Sequence, residues 1–203
     1  MPRPPTAPVP RIGVFGGSFD PVHIGHLAVA VAARAALGLD EVLLVVANDP
    51  WQKSGGRPVT PAEDRLALVE AAVAGLDGVA ASRLEIDRGG PSYTIDTLHD
   101  LRCRWPGSPL FLVVGADVAA HLDTWHRADE LPALATLVVA ERAGGPAGPE
   151  PPGWTVVHLP VPRLDVSSSD LRRRLATGEP VDVLMPSAVI RRVVERGLYA
   201  GGR

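Results

Sequence analysis

The stretch Gly13-Val-Phe-Gly-Gly-Ser-Phe-Asp-Pro-Val-His23-Ile-Gly25-His26 decides how the rest of this chain is read. It joins a short apolar strand, ending at Phe15, to a long Ala/Val-rich helical pattern through two glycines and a turn. Glycine lets backbone N–H groups come close to a ligand, and a helix N-terminus offers unpaired donors with partial positive charge. Histidines three apart, at or just before the first helical turn, share a face, so both imidazoles can address one anion. A phosphate site at a strand–helix junction is the expectation. Gly13, Gly16 and Gly17 do not make G-x-G-x-x-G, which disfavours a dinucleotide oxidoreductase. Lys53-Ser54 lacks the preceding glycines of a Walker A loop, which disfavours a P-loop kinase or NTPase.

Outward from this stretch, apolar runs rich in β-branched residues alternate with helical patterns. Candidate strands are 11–15, 42–47, 79–86, 110–114, 136–140 and 154–159; candidate helices are 24–37, 61–75, 93–104, 126–133, 168–176 and 187–196. This βαβα order, with strands apolar on both faces, predicts an α/β fold: a Rossmann-like, doubly wound parallel sheet with helices on both faces. Ligands in such sheets gather at the carboxyl ends of strands, so the loops after Phe15, Ala47 and Val114 should face one another across a cleft. Segments 48–58 and 142–153 are too rich in Gly, Pro and polar residues to pack and read as mobile loops. No internal repeat is visible. Residues 1–10 read as a flexible, proline-rich tail and 11–203 as a single domain.

Composition narrows the partners. A formal net charge of −3 over 203 residues gives no basic footprint for nucleic acid. No apolar run approaches the ~18 residues of a membrane span, and the N-terminus has no apolar core of a signal peptide. The single cysteine, Cys103, cannot form an internal disulfide, which fits a reducing compartment and a cytoplasmic location. Its place in a helical pattern suggests a small buried filler. Homo-oligomerisation is left open.

A second constellation, Val166-Ser-Ser-Ser-Asp-Leu-Arg172, puts hydroxyls before an apolar-periodic run. By itself this is a capped helix with a basic face. Beside the first motif it becomes a candidate second phosphate cradle, with Arg172 one turn in. Asp20, His23 and His26 also have D-x-x-H-x-x-H spacing, but no further zinc ligand stands nearby in sequence, so no metal site is assigned.

The segment from Gly16 to His26 resembles the signature of nucleotidyltransferases with an H-x-G-H motif, and 166–172 is similar to their C-terminal I-S-S-T-x-[IV]-R motif. Gly90-Pro-Ser-Tyr93-Thr94-Ile-Asp96 and Gly115-Ala-Asp117 through Trp125 resemble substrate segments of bacterial nicotinate-nucleotide adenylyltransferases. The resemblance runs from about residue 11 to 199, and the four motifs occur in order within it. The resemblance implies transfer of AMP from ATP, with Mg²⁺, to nicotinate mononucleotide. It implies catalytic roles for His23, His26, Lys53 and Arg172. Contacts to ATP would come from Gly16, Gly17, Ser18, Phe19, Gly115, Asp117, Arg142, Ser168 and Ser169. Contacts to the mononucleotide would come from Asp20, Tyr93, Thr94 and Trp125, with the indole stacked on the pyridine ring and N–H groups around Tyr93 and Thr94 receiving the carboxylate.

Three positions depart from the family pattern. Gln52 stands where the loop after the second strand has histidine, Arg142-Ala-Gly-Gly-Pro replaces an R-P-G loop, and Ser169 replaces threonine. Nicotinamide mononucleotide or phosphopantetheine as acceptor, a nucleotide sensor without turnover, and a metal-dependent hydrolase remain as alternatives.

Overall fold

The run Glu41-Val-Leu-Leu-Val-Val46 has no polar alternation, the mark of a strand covered on both faces. In the computed structural model, which describes residues 9–50, 59–142 and 150–201, it forms strand β2 (Glu41–Val46) inside a six-stranded sheet. The others are β1 (Ile12–Gly17), β3 (Val79–Ser82), β4 (Leu110–Gly115), β5 (Thr136–Arg142) and β6 (Val156–Val161). Their order is β3-β2-β1-β4-β5-β6 and every adjacent pair is parallel. This is the doubly wound arrangement, with the winding direction reversing between β1 and β4.

Alternate residues of β2 enter two cores. Val42, Leu44 and Val46 pack with Ala30 and Ala33 of α1 (Ile24–Leu37), Leu68 and Val69 of α2 (Ala62–Val73), Leu171 of α6 (Ser168–Thr177) and Val189 of α7 (Ser187–Glu195). Leu43 and Val45 pack with Ile95, Leu98 and Leu101 of α4 (Thr94–Arg104) and with Ala119 of the short α5 (Ala116–Ala119). Helix α1 stops at Gly38, whose φ of 57° suits a residue without Cβ.

Some expectations change. The strand foreseen over 79–86 ends at Ser82, and the chain turns into α3 (Leu84–Arg88). The apolar–polar–apolar order of Leu84, Glu85 and Ile86 imitates a strand, but Glu85 is drawn inward to hydroxyl partners, which a helical turn permits. The helix foreseen over 126–133 reduces to a 3₁₀ turn, Leu131–Ala133. Arg127 takes a left-handed φ of 54° and Pro132 lacks an N–H, so a continuous helix cannot form. Cys103 is exposed rather than buried, because Ile95, Leu98 and Leu101 carry the core-facing stripe of α4. Most of the N-terminal tail and of both Gly/Pro-rich loops lies outside the described residues. Among the described residues no helix is long and apolar enough to cross a membrane.

Leu44, with none of its surface exposed, lies within β2, between β3 and β1. Leu44→Ala should lower the unfolding free energy by about 2–5 kcal/mol in urea titration, whereas Val194→Ala, at a site 74 % exposed, should change it by less than about 0.5 kcal/mol.

Candidate active site

Strand β1 pairs with β2 over its whole length, from Ile12↔Glu41 to Gly17↔Val46. Its ladder with β4 stops at Val14↔Leu112. Past that point the two strands part, and the gap between their carboxyl ends opens a cavity of about 540 Å³. Gly16, Gly17, Ser18, Tyr93, Thr94, Trp125 and Ser168 line it. A neighbouring cavity of about 510 Å³ is lined by His23, Gly25, Ala116, Ala140 and Val161. Phe15, His26, Gly115 and Asp117 border both, so they form a shared wall.

His23 is the N-cap of α1, with extended backbone (φ −148°, ψ 171°). Its ring stacks on that of His26, with centroids 3.7 Å apart and 23° between planes. The backbone N–H of His23 donates to Nδ1 of His26 at 3.2 Å, so neutral His26 carries its proton on Nε2. Phe19 braces His26 edge-on, at 5.0 Å and 82°. Burial holds the His23 pKa down to about 4, so this imidazole is neutral at pH 7, and its Nδ1 is buried with no hydrogen-bond partner. Gly25 explains the middle of the motif: a Cβ there would lie 3.1 Å from the His23 ring and 3.1 Å from Val166 Cγ1. A side chain at this position would crowd the stacked imidazole of His23.

The C-terminal constellation closes onto the same turn. Ser167 caps α6 by accepting from the Asp170 N–H at 3.1 Å. Ser168 donates to the Pro21 carbonyl at 2.8 Å, and Arg172 donates to the Asp20 carbonyl at 2.5 Å and to Ser169 Oγ at 3.0 Å. Ser168 lines the larger cavity, but Ser169 and Arg172 line neither. Asp20, expected among acceptor contacts, is only 1 % exposed and lies behind the turn, where Oδ1 accepts from the Tyr199 hydroxyl at 2.7 Å. The Asp20 carboxylate is engaged with Tyr199, and the two imidazoles are stacked on each other.

Across the cavity, Tyr93 is the N-cap of α4 and Thr94 its first residue. No side chain caps this end, so the first N–H groups remain available to an anion. Trp125 borders the cavity with its Nε1–H buried and without a hydrogen-bond partner. Gly115 serves Asp117: a Cβ would stand 2.7 Å from Asp117 Oδ1, so glycine lets the carboxylate fold back over the strand end. Phe19 is almost wholly buried and lines the larger cavity through its ring, beside Gly17. Lys53 lies outside the described residues; the backbone of Arg142 ends β5 opposite Val161.

Three groups escaped the sequence reading. His126 stacks on Tyr93 with centroids 4.3 Å apart. Glu85, buried in the cavity wall, accepts from Thr97 Oγ1 at 2.5 Å; burial pushes its pKa up, opposed by hydrogen bonds from Ser92 and Thr97. Arg65 is buried within α2, and a charge among Leu66, Leu68 and Val69 was the signal available for it. Glu85 and His126 belong to no motif and had no such signal.

A model of the cytidylyltransferase-like family matches residues 14–174, which includes β1 from Val14 on, both histidines and α6 as far as Arg174. A probable nicotinate-nucleotide adenylyltransferase of Corynebacterium kroppenstedtii is 42 % identical over 198 residues, covering 94 % of this chain and 91 % of the relative. One from Thermus thermophilus is 46 % identical over 189 residues, covering 93 % and 99 %. The chain belongs to the nicotinate-nucleotide adenylyltransferase family of cytidylyltransferase-like enzymes. The fold agrees. The structure of the Plasmodium falciparum nicotinic acid mononucleotide adenylyltransferase complexed with NaAD superposes with a TM-score of 0.77 at 17 % identity, covering 94 % of this chain and 97 % of that one. As a member of the family, this chain is a nucleotidyltransferase.

The low pKa of His23 makes stability depend on pH. The unfolded chain takes up a proton near pH 6.5 and the folded one only near 4, so stability is full above pH 6.5 and falls as pH drops between these values. The loss amounts to about 3 kcal/mol by pH 4. Urea midpoints between pH 4 and 7 should show this slope in the native sequence, and His23→Gln should flatten it; equal slopes in both would assign the protonation to another group.

Proposed function

We propose that this protein transfers the adenylyl group of ATP to nicotinate mononucleotide, releasing pyrophosphate and forming nicotinate adenine dinucleotide. The observation that carries this reading is the pair of cavities meeting at His26, Asp117 and Gly115. Two nucleotides in adjoining chambers bring their phosphates to one shared wall. A 5′-phosphate oxygen of the mononucleotide attacks the α-phosphorus of ATP in line. The bond from that phosphorus to the bridging oxygen breaks, and pyrophosphate leaves with the electron pair.

Such chemistry asks for positioning and charge stabilisation rather than a protein nucleophile. His26 donates from Nε2 to oxygens of the reacting phosphates, its tautomer held by the His23 N–H. His23, neutral and adjacent, contributes to the same phosphates from the ATP side. Arg172 and Lys53, with Arg142, offset charge that grows on pyrophosphate. The N–H groups at the start of α4 take the nicotinate carboxylate, and Trp125 stacks on the pyridine ring.

Mg²⁺ enters here as part of the Mg–ATP substrate, retaining phosphate and water ligands as that ion prefers. Asp117, a carboxylate on the shared wall, is the side chain that would face such an ion or its water ligands. The proposal includes a single catalytic domain and a cytoplasmic setting, the latter supported by the lone exposed cysteine.

Pyrophosphate release with nicotinate mononucleotide, nicotinamide mononucleotide and phosphopantetheine as separate acceptors tests the reaction; preference for either of the last two would overturn it. His26→Ala should lower kcat by about 10²–10³ with the fold intact by circular dichroism. Trp125→Ala should raise KM for the mononucleotide about tenfold or more while leaving KM for ATP within about twofold, as expected of one lost aromatic stack. Equal rises would make Trp125 a structural residue.

A further inference from the structure

Arg65 lines neither cavity, yet it is the largest fully buried side chain in the molecule's described residues. It projects from α2, where neighbours Leu66, Leu68 and Val69 belong to the apolar core. Its hydrogen bonds go to backbone carbonyls. Nε donates to Thr60 at 2.7 Å, one terminal nitrogen to Ser18 at 2.8 Å, and the other to Asn48 at 3.2 Å. These acceptors lie on three separate segments: the entry to α2, the turn after β1, and the end of β2.

A buried guanidinium is costly, and among the described residues no carboxylate is in hydrogen-bond contact with it. The buried carboxylates of Asp20 and Glu85 offset the charge only at longer range, and burial still lowers the Arg65 pKa. An apolar side chain would avoid that cost but would leave three carbonyls without donors. Lysine, a point charge on a flexible stem, lacks the rigid fork that reaches three acceptors at once.

The Asn48 peptide is gripped from both sides. Arg65 holds its carbonyl, and Ser92 Oγ accepts its N–H at 2.8 Å. The Ser92 N–H in turn donates to the Asp49 carbonyl at 2.9 Å, and Asn48 Nδ2 donates to the Gly90 carbonyl at 2.9 Å. A continuous path therefore runs from Ser18, through Arg65 and Asn48, to the segment that delivers Tyr93 and Thr94. Ser18, Ala47, Ser92 and Thr94 all line the larger cavity.

We infer that Arg65 is a positioning residue for adenylyl transfer: its guanidinium locks the turn after β1, where the phosphates bind, to the loop after β2, which anchors the acceptor segment. This rests on the proposed reaction at the cleft. Displacement of reacting groups by ~1 Å costs on the order of 10²-fold in rate, so loosening this lock slows the chemical step more than it weakens binding.

Arg65→Lys and Arg65→Met are measured beside the native protein. Each should retain its circular dichroism spectrum, lose about 10–100-fold in kcat, and keep both KM values within about threefold. Amide hydrogen exchange should quicken over residues 16–20 and 47–49 in both variants, while β2 and β4 keep their protection. In the double variant with Ser92→Ala, the loss in kcat should fall short of the product of the single losses, because both act through the Asn48 peptide. Activity within twofold of native in either Arg65 variant, loss of protection throughout the sheet, or failure of both variants to fold would each overturn the inference. Exchange requires no turnover, so a native enzyme inactive on nicotinate mononucleotide would sink the proposed reaction while leaving the lock to be judged on exchange alone.

Discussion

The structure depends on a ladder that stops early. Strand β1 serves two neighbours, and its pairing with β4 ends three residues in, at Val14↔Leu112, while its pairing with β2 continues to Gly17. Backbone groups beyond the break need other partners or solvent, and the gap they frame is open to a polar ligand. The turn after β1, the start of α1, the start of α4 and the loop after β4 all border this gap. The helices on the two faces cannot close the gap, because the chain winds away from it in opposite directions.

Within the gap, small residues mark where backbone must give way to side chains. Gly25 leaves room for the His23 ring, Gly17 for Phe19, and Gly115 for the carboxylate of Asp117. The result is a pair of stacked imidazoles in which His23 is neutral and a main-chain donor holds Nδ1 of His26. A neutral His23 avoids the cost of burying a charge in the apo cleft, and an Nε2–H on His26 is suited to anionic oxygens. The turn after β1 is itself tied to the C-terminal part of the chain. The Tyr199 hydroxyl donates to the Asp20 carboxylate, and Arg172, which also donates to Ser169 Oγ on its own helix, donates to the Asp20 carbonyl.

Much of this was legible in the residues themselves. The two-faced apolar strands predicted the parallel sheet, and the Ala/Val-rich pattern after the histidine stretch predicted α1 over 24–37. Tyr93, Thr94 and Trp125 were foreseen in the acceptor segment and do line one cavity. Asp20 shows the limit of motif reading: a carboxylate beside two histidines looks like a site residue, but the turn directs it away from the cavity. Glu85 shows another, since its alternating neighbours imitate a strand and its partners are remote in sequence.

The sequence by itself determined periodicity, punctuation and the local chemistry of contiguous motifs, because these are set by side-chain spacing along one backbone: the strand–turn–helix junction, the i and i+3 histidines and the serine-capped α6. Only the tertiary structure decided where the β1–β4 ladder ends, which motif residues face the cleft, and that Arg65 joins Ser18, Asn48 and Thr60. Those outcomes depend on distances between segments tens of residues apart, and local propensity carries no information about them until the sheet has set the segments side by side.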